Sequence, residues 1–488
     1  MAVHRNLVRV ALVGVCLALA AAASPPSSPL RPDQAAAILN ALDRAPGEGL
    51  VDKVLDPGSV SNLLRSADPG QRALGEQRLR AAVVGYARAE HGGRVDTSLF
   101  PPDWAMRPAP YDADAELGFA LSLDRLPAWL SDLPPPFERY RDLVAARQRY
   151  LAIIADGGWP AIPAGAPLKP GAVDPRVEVL RQRLLVEDPA VEAPVGAPAA
   201  YDDKLTAAVA RAQDRFGLNI DGVAGASTLA ALNTPAARRL QQIDANLERW
   251  RWVPRDLPPD RLEVNIAGAA LDTFQAGVPV LSMRVIVGRP ADPTPMFQAK
   301  VTGVVFAPPW NVPAKIASKE IWPRERRHPG YMAREGIVAQ PDGSLQQKPG
   351  PKNALGLVKF DLPNPFSVYL HDTPSRGLFA REARALSHGC MRLQRPYDLA
   401  RLLMRDERAW PGTRIEDALH GPVTLRAALS HPLPVFAFYW TAFVDGQGRV
   451  NFRPDVYGWD DQLLGLVDGP GAVAMNLTPA SETTCSAG

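Results

Sequence analysis

Between Trp252 and Arg261 the hydrophobic period of this chain changes, and the change limits what each part can fold into. Up to that point apolar residues recur at helical spacing. Ala35 to Leu39, Gln77 to Arg88 and Phe137 through Tyr150 to Ile154 all read this way. The last such segment is residues 237–253, where Leu240, Ile243, Leu247 and Trp250 share a face and Pro254 stops the helix. From Arg261 onward the period is two: Leu262, Val264 and Ile266 alternate with Glu263 and Asn265. Ala270 to Phe274, Val278 to Val287, Ala299 to Ala307 and Phe366 to Leu370 read as further strands. A chain of 488 residues exceeds one hydrophobic core. The expected fold class is therefore multidomain α+β, helical first and predominantly β later.

Composition and punctuation place the boundaries. Residues 1–23 read as a secretory signal peptide, with His4, Arg5 and Arg9 before the apolar run Val10 to Ala20 and the small residues Ala21 to Ala23. That run is shorter than the ~20 residues that cross a bilayer, so cleavage is favoured over an uncleaved anchor. Cys16 follows Val15 rather than a small residue, which argues against a lipoprotein anchor. Residues 24–160 form a helical scaffold with no catalytic constellation; His91, beside Gly92 and Gly93, reads as a loop residue. Residues 161–173, rich in Pro, Gly and Ala, read as a linker. A three-helix unit follows at 174–236. Val177, Leu180 and Leu184 mark its first helix, and Leu205, Val209, Ala212 and Phe216 its second. The turn Asp221 to Gly225 precedes a third helix that starts at Ser227. The β domain spans 260–415 and is interrupted by a less regular insertion at 315–355, a length that favours a functional lid. In the extension 416–488, a short helix is expected over Pro422 to Ser430 and a strand over Val435 to Val444. A hairpin partner at Val450 to Phe452 and a disordered tail from Gly469 follow. Trp250 and Trp252 are expected to pack against the next domain rather than line a sugar-binding surface.

Charge and cysteine count narrow the function. The chain has 54 basic and 52 acidic residues, and losing Arg5 and Arg9 with the signal leaves 52 of each. A neutral protein has no global field to gather nucleic acid. Of three cysteines, Cys390 and Cys485 remain after cleavage, too few for a disulfide framework. Cys485 lies in the polar tail, so a Cys390–Cys485 bridge is disfavoured. Cys390 is then a free thiol in an oxidising compartment, a hazard that catalysis would justify.

Cys390 lies in the run Ser387, His388, Gly389, Cys390, Met391, Arg392. Acyl transfer by a thiol needs a histidine base and donors for the oxyanion. Gly389 allows close approach of a carbonyl to the backbone and frees nearby N–H groups. His388 and His371 compete for the base. His388 would ride on the thiol's own loop, whereas His371 ends a strand and is held more rigidly, so His371 is favoured. Pro396 suits the start of a helix after the site. No His, Cys and carboxylate cluster has metal-ligand spacing, and no cofactor is expected.

Two resemblances sharpen this reading. The pattern F-G-L-x-x-D-G-V-x-G-x-x-T-L-A-A-L-N over residues 216–233 is similar to the small peptidoglycan-binding module found on many cell-wall enzymes. H-D-T-P from His371 and S-H-G-C-M-R-L from Ser387 resemble the signature of the L,D-transpeptidases, cysteine enzymes that cross-link bacterial peptidoglycan. The likeness runs over about 260–415, and the layout looks like the large multidomain periplasmic members. It implies Cys390 as nucleophile, His371 as base and the N–H groups of Gly389 and Cys390 in the oxyanion hole. Ser387 and His388 would complete the loop, Arg392 would lie near the substrate, and Tyr369 and Trp310 would line the pocket. A backbone carbonyl beside His371, rather than the Asp372 carboxylate, would be the third triad member, and 315–355 the capping loop. It further implies tetrapeptide stems as donor and acceptor, 3→3 cross-links through a thioester, and acylation of Cys390 by penem-type β-lactams. Two alternatives stay open: hydrolysis or release of wall-attached groups by the same cysteine, and a non-catalytic wall-binding protein built on 174–236.

Overall fold

The computed structural model describes residues 29–50, 57–191 and 197–469. The expected signal peptide and the tail carrying Cys485 lie outside them. Five helices form the first layer: α1 (Pro32–Arg44), α2 (Pro57–Leu64), α3 (Pro69–Gly92), α4 (Ala113–Ser122) and α5 (Leu126–Asp132). Ile38, Leu79, Val83 and Tyr86 centre their core. Asp68 caps α3 by accepting the Gly70 N–H at 2.7 Å, and Pro69 fills a first-turn position that needs no donor. His91 is on the last turn of α3, not in a loop, with its ring stacked on Tyr111 at 3.7 Å. A sixth helix, α6 (Glu138–Ala155), leaves this layer.

The three-helix unit is α7 (Arg176–Leu185), α8 (Asp203–Phe216) and α9 (Ala226–Leu232). Asp202 caps α8, and Gly217 ends it with φ of 68°. The expected linker is tied to this unit, since Leu168 bridges to Ala224 and Val173 to Ala200.

Helix α10 (Ala236–Trp250) sits where these units meet the sheet, and both of its faces are buried. Alongside the apolar face, Arg239, Gln242, Asn246, Glu248 and Arg249 are all withdrawn from solvent. Each polar group meets another unit. Asn246 donates to Thr441 at 2.7 Å, Arg249 pairs with Asp460 at 2.6 Å, and the adjoining Arg251 pairs with Glu90 at 3.3 Å. Trp250 stacks on Trp440 at 4.6 Å and Trp252 packs on Phe100 at 4.5 Å, so both are packing residues, although Trp252 packs on the helical scaffold before it rather than on the next domain.

The strands are β1 (Arg261–Asn265), β2 (Ala270–Gln275), β3 (Val278–Gly288), β4 (Phe297–Phe306), β5 (Trp310–Val312), β6 (Ile337–Ala339), β7 (Leu345–Gln347), β8 (Val358–Asp361), β9 (Leu370–His371), β10 (Ala385–Ser387), β11 (Met391–Leu393), β12 (Leu425–Phe438), β13 (Ala442–Val444) and β14 (Val450–Phe452). Nine of them form one sheet in the order β10-β3-β11-β9-β8-β4-β12-β1-β2. The added β2–β3 pairing closes eight of these into a ring, which leaves no long open edge.

Four expectations change. The sheet does not end at residue 415, because β12 lies between β4 and β1 and completes the ring. Its first half had read as a helix over Pro422 to Ser430. That stretch has apolar residues at both spacings, and pairing of Leu425 to Ala428 with β4 decides for strand. The helix lies earlier, at Gly412–His420. Of the expected strand Phe366 to Leu370, only Leu370 is extended in the sheet. The Asn364 side chain holds the N–H groups of Phe366 and Val368 in a turn, and Ser367 has φ of 56°. The insertion is more regular than expected. Its strands β6 and β7 form a sheet with the preceding β5, and with a helical stretch over 314–327 they enclose a small core of Val312, Ala317, Ile321, Ile337 and Leu345.

Candidate active site

Strands β8, β9 and β11 lie side by side, and their alternation sorts the site from the core. Phe360, Leu370, Met391 and Leu393 are fully buried in the ring's interior. With period two, Lys359, His371 and Arg392 emerge on the other face, and Tyr369 and Cys390 continue that face beyond the strand ends. Register brings them together. Arg392 is opposite His371 across β9–β11, Lys359 is opposite His371 across β8–β9, and the Met391 N–H donates to the Tyr369 carbonyl at 3.0 Å.

His371 is buried, and its Nδ1 is 2.5 Å from the carbonyl oxygen of Asp372. A carbonyl only accepts, so Nδ1 carries the proton and Nε2 keeps a lone pair. Burial, with Arg392 and Lys359 nearby, lowers its pKa to about 3. The Asp372 carboxylate is engaged elsewhere: it accepts from the Leu357 N–H (2.9 Å), the Tyr397 hydroxyl (3.0 Å) and Arg376 (3.0 Å). Burial raises the Cys390 thiol, against the pull of the Tyr369 N–H and hydroxyl, Lys359 and Arg392. Both shifts favour the neutral forms, thiol on Cys390 and imidazole on His371. The Cys390 Sγ faces the Ser367 carbonyl at 3.9 Å, which the left-handed turn at Ser367 supplies.

Residues 259–416 match the L,D-transpeptidase catalytic domain. This unit belongs to the L,D-transpeptidase family. Residues 30–146 match a scaffold domain and 174–232 a peptidoglycan-binding domain, so the helical layers have family counterparts as well. A Haemophilus influenzae protein named as an inferred L,D-transpeptidase is 34% identical over 243 residues, covering 46% of this chain and 49% of that protein. The chain thus spans about half the length of this relative. Among solved structures, an L,D-transpeptidase from Xylanimonas cellulosilytica is 16% identical, with 57% of this chain and 99% of that chain covered and a TM-score of 0.21. L,D-transpeptidase 3 from Mycobacterium tuberculosis, with a faropenem-derived adduct, is 15% identical over 37% of this chain and 60% of that one, TM-score 0.20.

In this L,D-transpeptidase unit the thiol loop is knitted internally. The Ser387 hydroxyl donates to the Cys390 carbonyl at 2.5 Å and accepts the Gly389 N–H at 3.2 Å. The Gly389 N–H expected in an oxyanion hole is thus committed to Ser387. Gly389 has φ of 106°, a region that only glycine enters without strain. His388 is turned to the insertion, where its Nε2 is 2.7 Å from Glu320 Oε1. Tyr369 packs edge-on against His371 at 5.5 Å and has Lys359 over its ring at 4.6 Å, and Trp310 lies within hydrogen-bonding reach of its hydroxyl. Arg392 makes no ion pair among the described residues, and its buried Nε has no partner. No group of three or more His, Cys, Asp or Glu among them could hold a metal.

The sequence reading missed Lys359, Glu320, Thr294 and Tyr457. Alternation around Phe360 could have found Lys359. The other three had no sequence signal, because their partners are distant. Thr294, fully buried, donates to the Gly389 carbonyl at 2.7 Å and accepts the Gly288 N–H at 2.8 Å. Tyr457 donates to the Gly288 carbonyl at 2.6 Å and accepts the Thr294 N–H at 3.2 Å.

Proposed function

We propose that this protein is a periplasmic L,D-transpeptidase that forms 3→3 cross-links between peptidoglycan stem peptides through a thioester on Cys390. The observation that carries the reading is the His371 ring, fixed by the Asp372 carbonyl and flanked by Arg392 and Lys359 on the face that bears Cys390. Cys390 Sγ attacks the carbonyl of the third stem residue as Nε2 of His371 takes the thiol proton. Collapse of the tetrahedral intermediate breaks the peptide bond. The imidazolium returns its proton to the departing D-alanine amine. The side-chain amine of a second stem then attacks the thioester, loses its proton to His371 and releases the thiolate, which is reprotonated. A base with its pKa near 3 is suited to concerted transfer rather than to a standing thiolate–imidazolium pair. Arg392, a cation without a carboxylate partner, is placed to hold the donor's terminal carboxylate. Trp310 and Tyr369 form the adjoining wall, and the insertion caps the site through His388. The module at 174–236 retains the enzyme on the wall.

No helix among the described residues is long and apolar enough to cross a membrane. The proposal is tested with purified disaccharide tetrapeptides. Wild type should form 3→3 dimers, and Cys390→Ala should fold but form none. Dimers at wild-type rate from Cys390→Ala would sink it, and tripeptide as sole product would favour hydrolysis. A carbapenem should add its mass to wild type and not to Cys390→Ala.

A further inference from the structure

We propose that the cavity between the three-helix unit and the closed sheet is a second binding site, which takes a carboxylate-bearing stem-peptide segment of peptidoglycan. It has a volume of about 540 Å³, within the range of sites that hold small ligands. Its walls come from α8, α9 and α10 on one side and from the β1–β2 turn, residues 382–385 and the stretch after β14 on the other.

The charge on these walls is unbalanced. Arg239, Arg384 and Arg453 line the cavity, and none of them forms an ion pair among the described residues. They are held by neutral acceptors. Arg239 donates to the Ala231 carbonyl (2.8 Å) and Gln242 (2.7 Å), Arg384 to the carbonyls of Gly268 (3.1 Å) and Ala269 (3.3 Å), and Arg453 to that of Arg215 (2.7 Å). Arg239 is only 6% exposed, and the buried Nε atoms of Arg239 and Arg384 have no partner. The nearby Glu187 is already shared by Arg183 at 2.7 Å and Arg215 at 2.9 Å. Two carboxylates also reach the wall, but both are engaged. Glu382 accepts the Asn219 N–H at 3.0 Å, and Asp455 accepts the Tyr439 hydroxyl at 2.7 Å and two N–H groups at 2.9 Å. Burial lowers the pKa of Arg239 and of Arg453 to about 10, as expected where cations lack compensation.

Withdrawing cations from water without counter-charge is costly, and an anion in the cavity would offset that cost. The remaining wall is apolar: Phe216 and Phe452 flank the Arg239 guanidinium at 4.9 and 4.6 Å. Cationic groups over apolar walls fit a peptide with short aliphatic side chains and free carboxylates. The identity of that peptide rests on the proposed function; the anion site itself does not. Residues 382–385 lead directly into β10, whose Ser387 knits the thiol loop, so an occupant would press on a strand that ends at the nucleophile's loop.

The test keeps the catalytic site blocked. Full-length protein acylated by a carbapenem is titrated calorimetrically with a disaccharide tetrapeptide. Binding should persist, weaken at least tenfold when the peptide carboxylates are amidated, and weaken at least tenfold in Arg384→Gln and Arg453→Gln. Inorganic phosphate at equal concentration should not compete. Ala231→Glu, which supplies a carboxylate from the chain, should abolish binding and raise Tm, so the proposal stays testable even if an arginine variant folds poorly. Unchanged affinity in folded arginine variants or in Ala231→Glu, or full competition by phosphate, would overturn it. Failure of the transpeptidase reading shows separately as absence of a Cys390 adduct, in which case the same titration is run on Cys390→Ala.

Discussion

Nε2 of His388 lies 2.7 Å from Oε1 of Glu320, and this contact ties the thiol loop to the insertion between β5 and β8. It also separates the two histidines that compete on sequence alone, since His371 is bound to the Asp372 carbonyl instead. The His388–Glu320 pair is partly exposed, with 27% and 28% of the side chains accessible, so it adds at most about 1 kcal/mol to stability. His388→Ala and Glu320→Ala should therefore melt close to wild type in urea and slow carbapenem acylation of Cys390 about tenfold. His371→Ala should slow it by roughly 10²–10⁴. Equal losses from the two histidine variants would remove the assignment of the base.

The pH profile should lack the inflection of an ordinary histidine. With His371 at about 3 and the Cys390 thiol raised by burial, the acylation rate should be flat through pH 6.5, where a free imidazole titrates. A rate that doubles or halves around pH 6.5 would show a charged resting histidine.

The same depression makes the fold acid-sensitive. His371 at about 3 and His91 at about 4 refuse protons that the unfolded chain accepts below about 6.5. Their stability contribution is complete above that pH and is lost as pH falls through this window. Glu48, pushed up to about 7 by burial beside Glu90, binds its proton in the folded state and works in the opposite direction. Urea midpoints measured from pH 7 to 5 should fall less steeply in His91→Phe, which keeps the stack on Tyr111, than in wild type. Parallel slopes would contradict the shift.

Thr294 braces the loop that carries Cys390 by bonding the Gly389 carbonyl and the Gly288 N–H. Thr294→Val orphans the buried Gly389 carbonyl and the Gly288 N–H, at a cost of about 1–3 kcal/mol. It should lower the rate of Cys390 acylation with little change in carbapenem affinity, and Thr294→Ser should restore both stability and rate. If Thr294→Ser is as slow as Thr294→Val, the hydroxyl is not the operative group.

Glu90 and Arg251 join the helical scaffold to the end of α10 with side chains no more than 1% exposed, and Tyr140 donates to Glu90 at 3.1 Å. Removing one partner leaves a buried charge, so Glu90→Ala should cost about 3–5 kcal/mol in urea unfolding. A loss below about 1 kcal/mol would show that water replaces the carboxylate.

Much of the site was legible because its chemistry is concentrated in one short run. Ser387, His388, Gly389, Cys390 and Arg392 are contiguous, and His371 lies at a strand end marked by apolar residues. Their roles were less legible than their presence. His388 is drawn off by Glu320, which is far away in sequence, and the Gly389 N–H is taken by a hydroxyl two residues back. Helix α10 shows the same limit. Spacing put Leu240, Ile243, Leu247 and Trp250 on one face, but only docking of Thr441 and Asp460 makes an interior of the side that carries Asn246 and Arg249.

Local pattern by itself determined the switch from helical to alternating period, the three-helix unit and the thiol with its candidate bases. Those features depend on residues within a few positions of each other, where spacing dictates which side chains share a face. The tertiary structure decided what depends on distant pairing. It drew β12 into the ring beyond the expected domain end, set Arg392 and Lys359 on either side of His371, and bound the Gly389 carbonyl to Thr294. Strand register and buried polar contacts are chosen by partners far along the chain, and it is register that sets His371 level with Arg392 and Lys359.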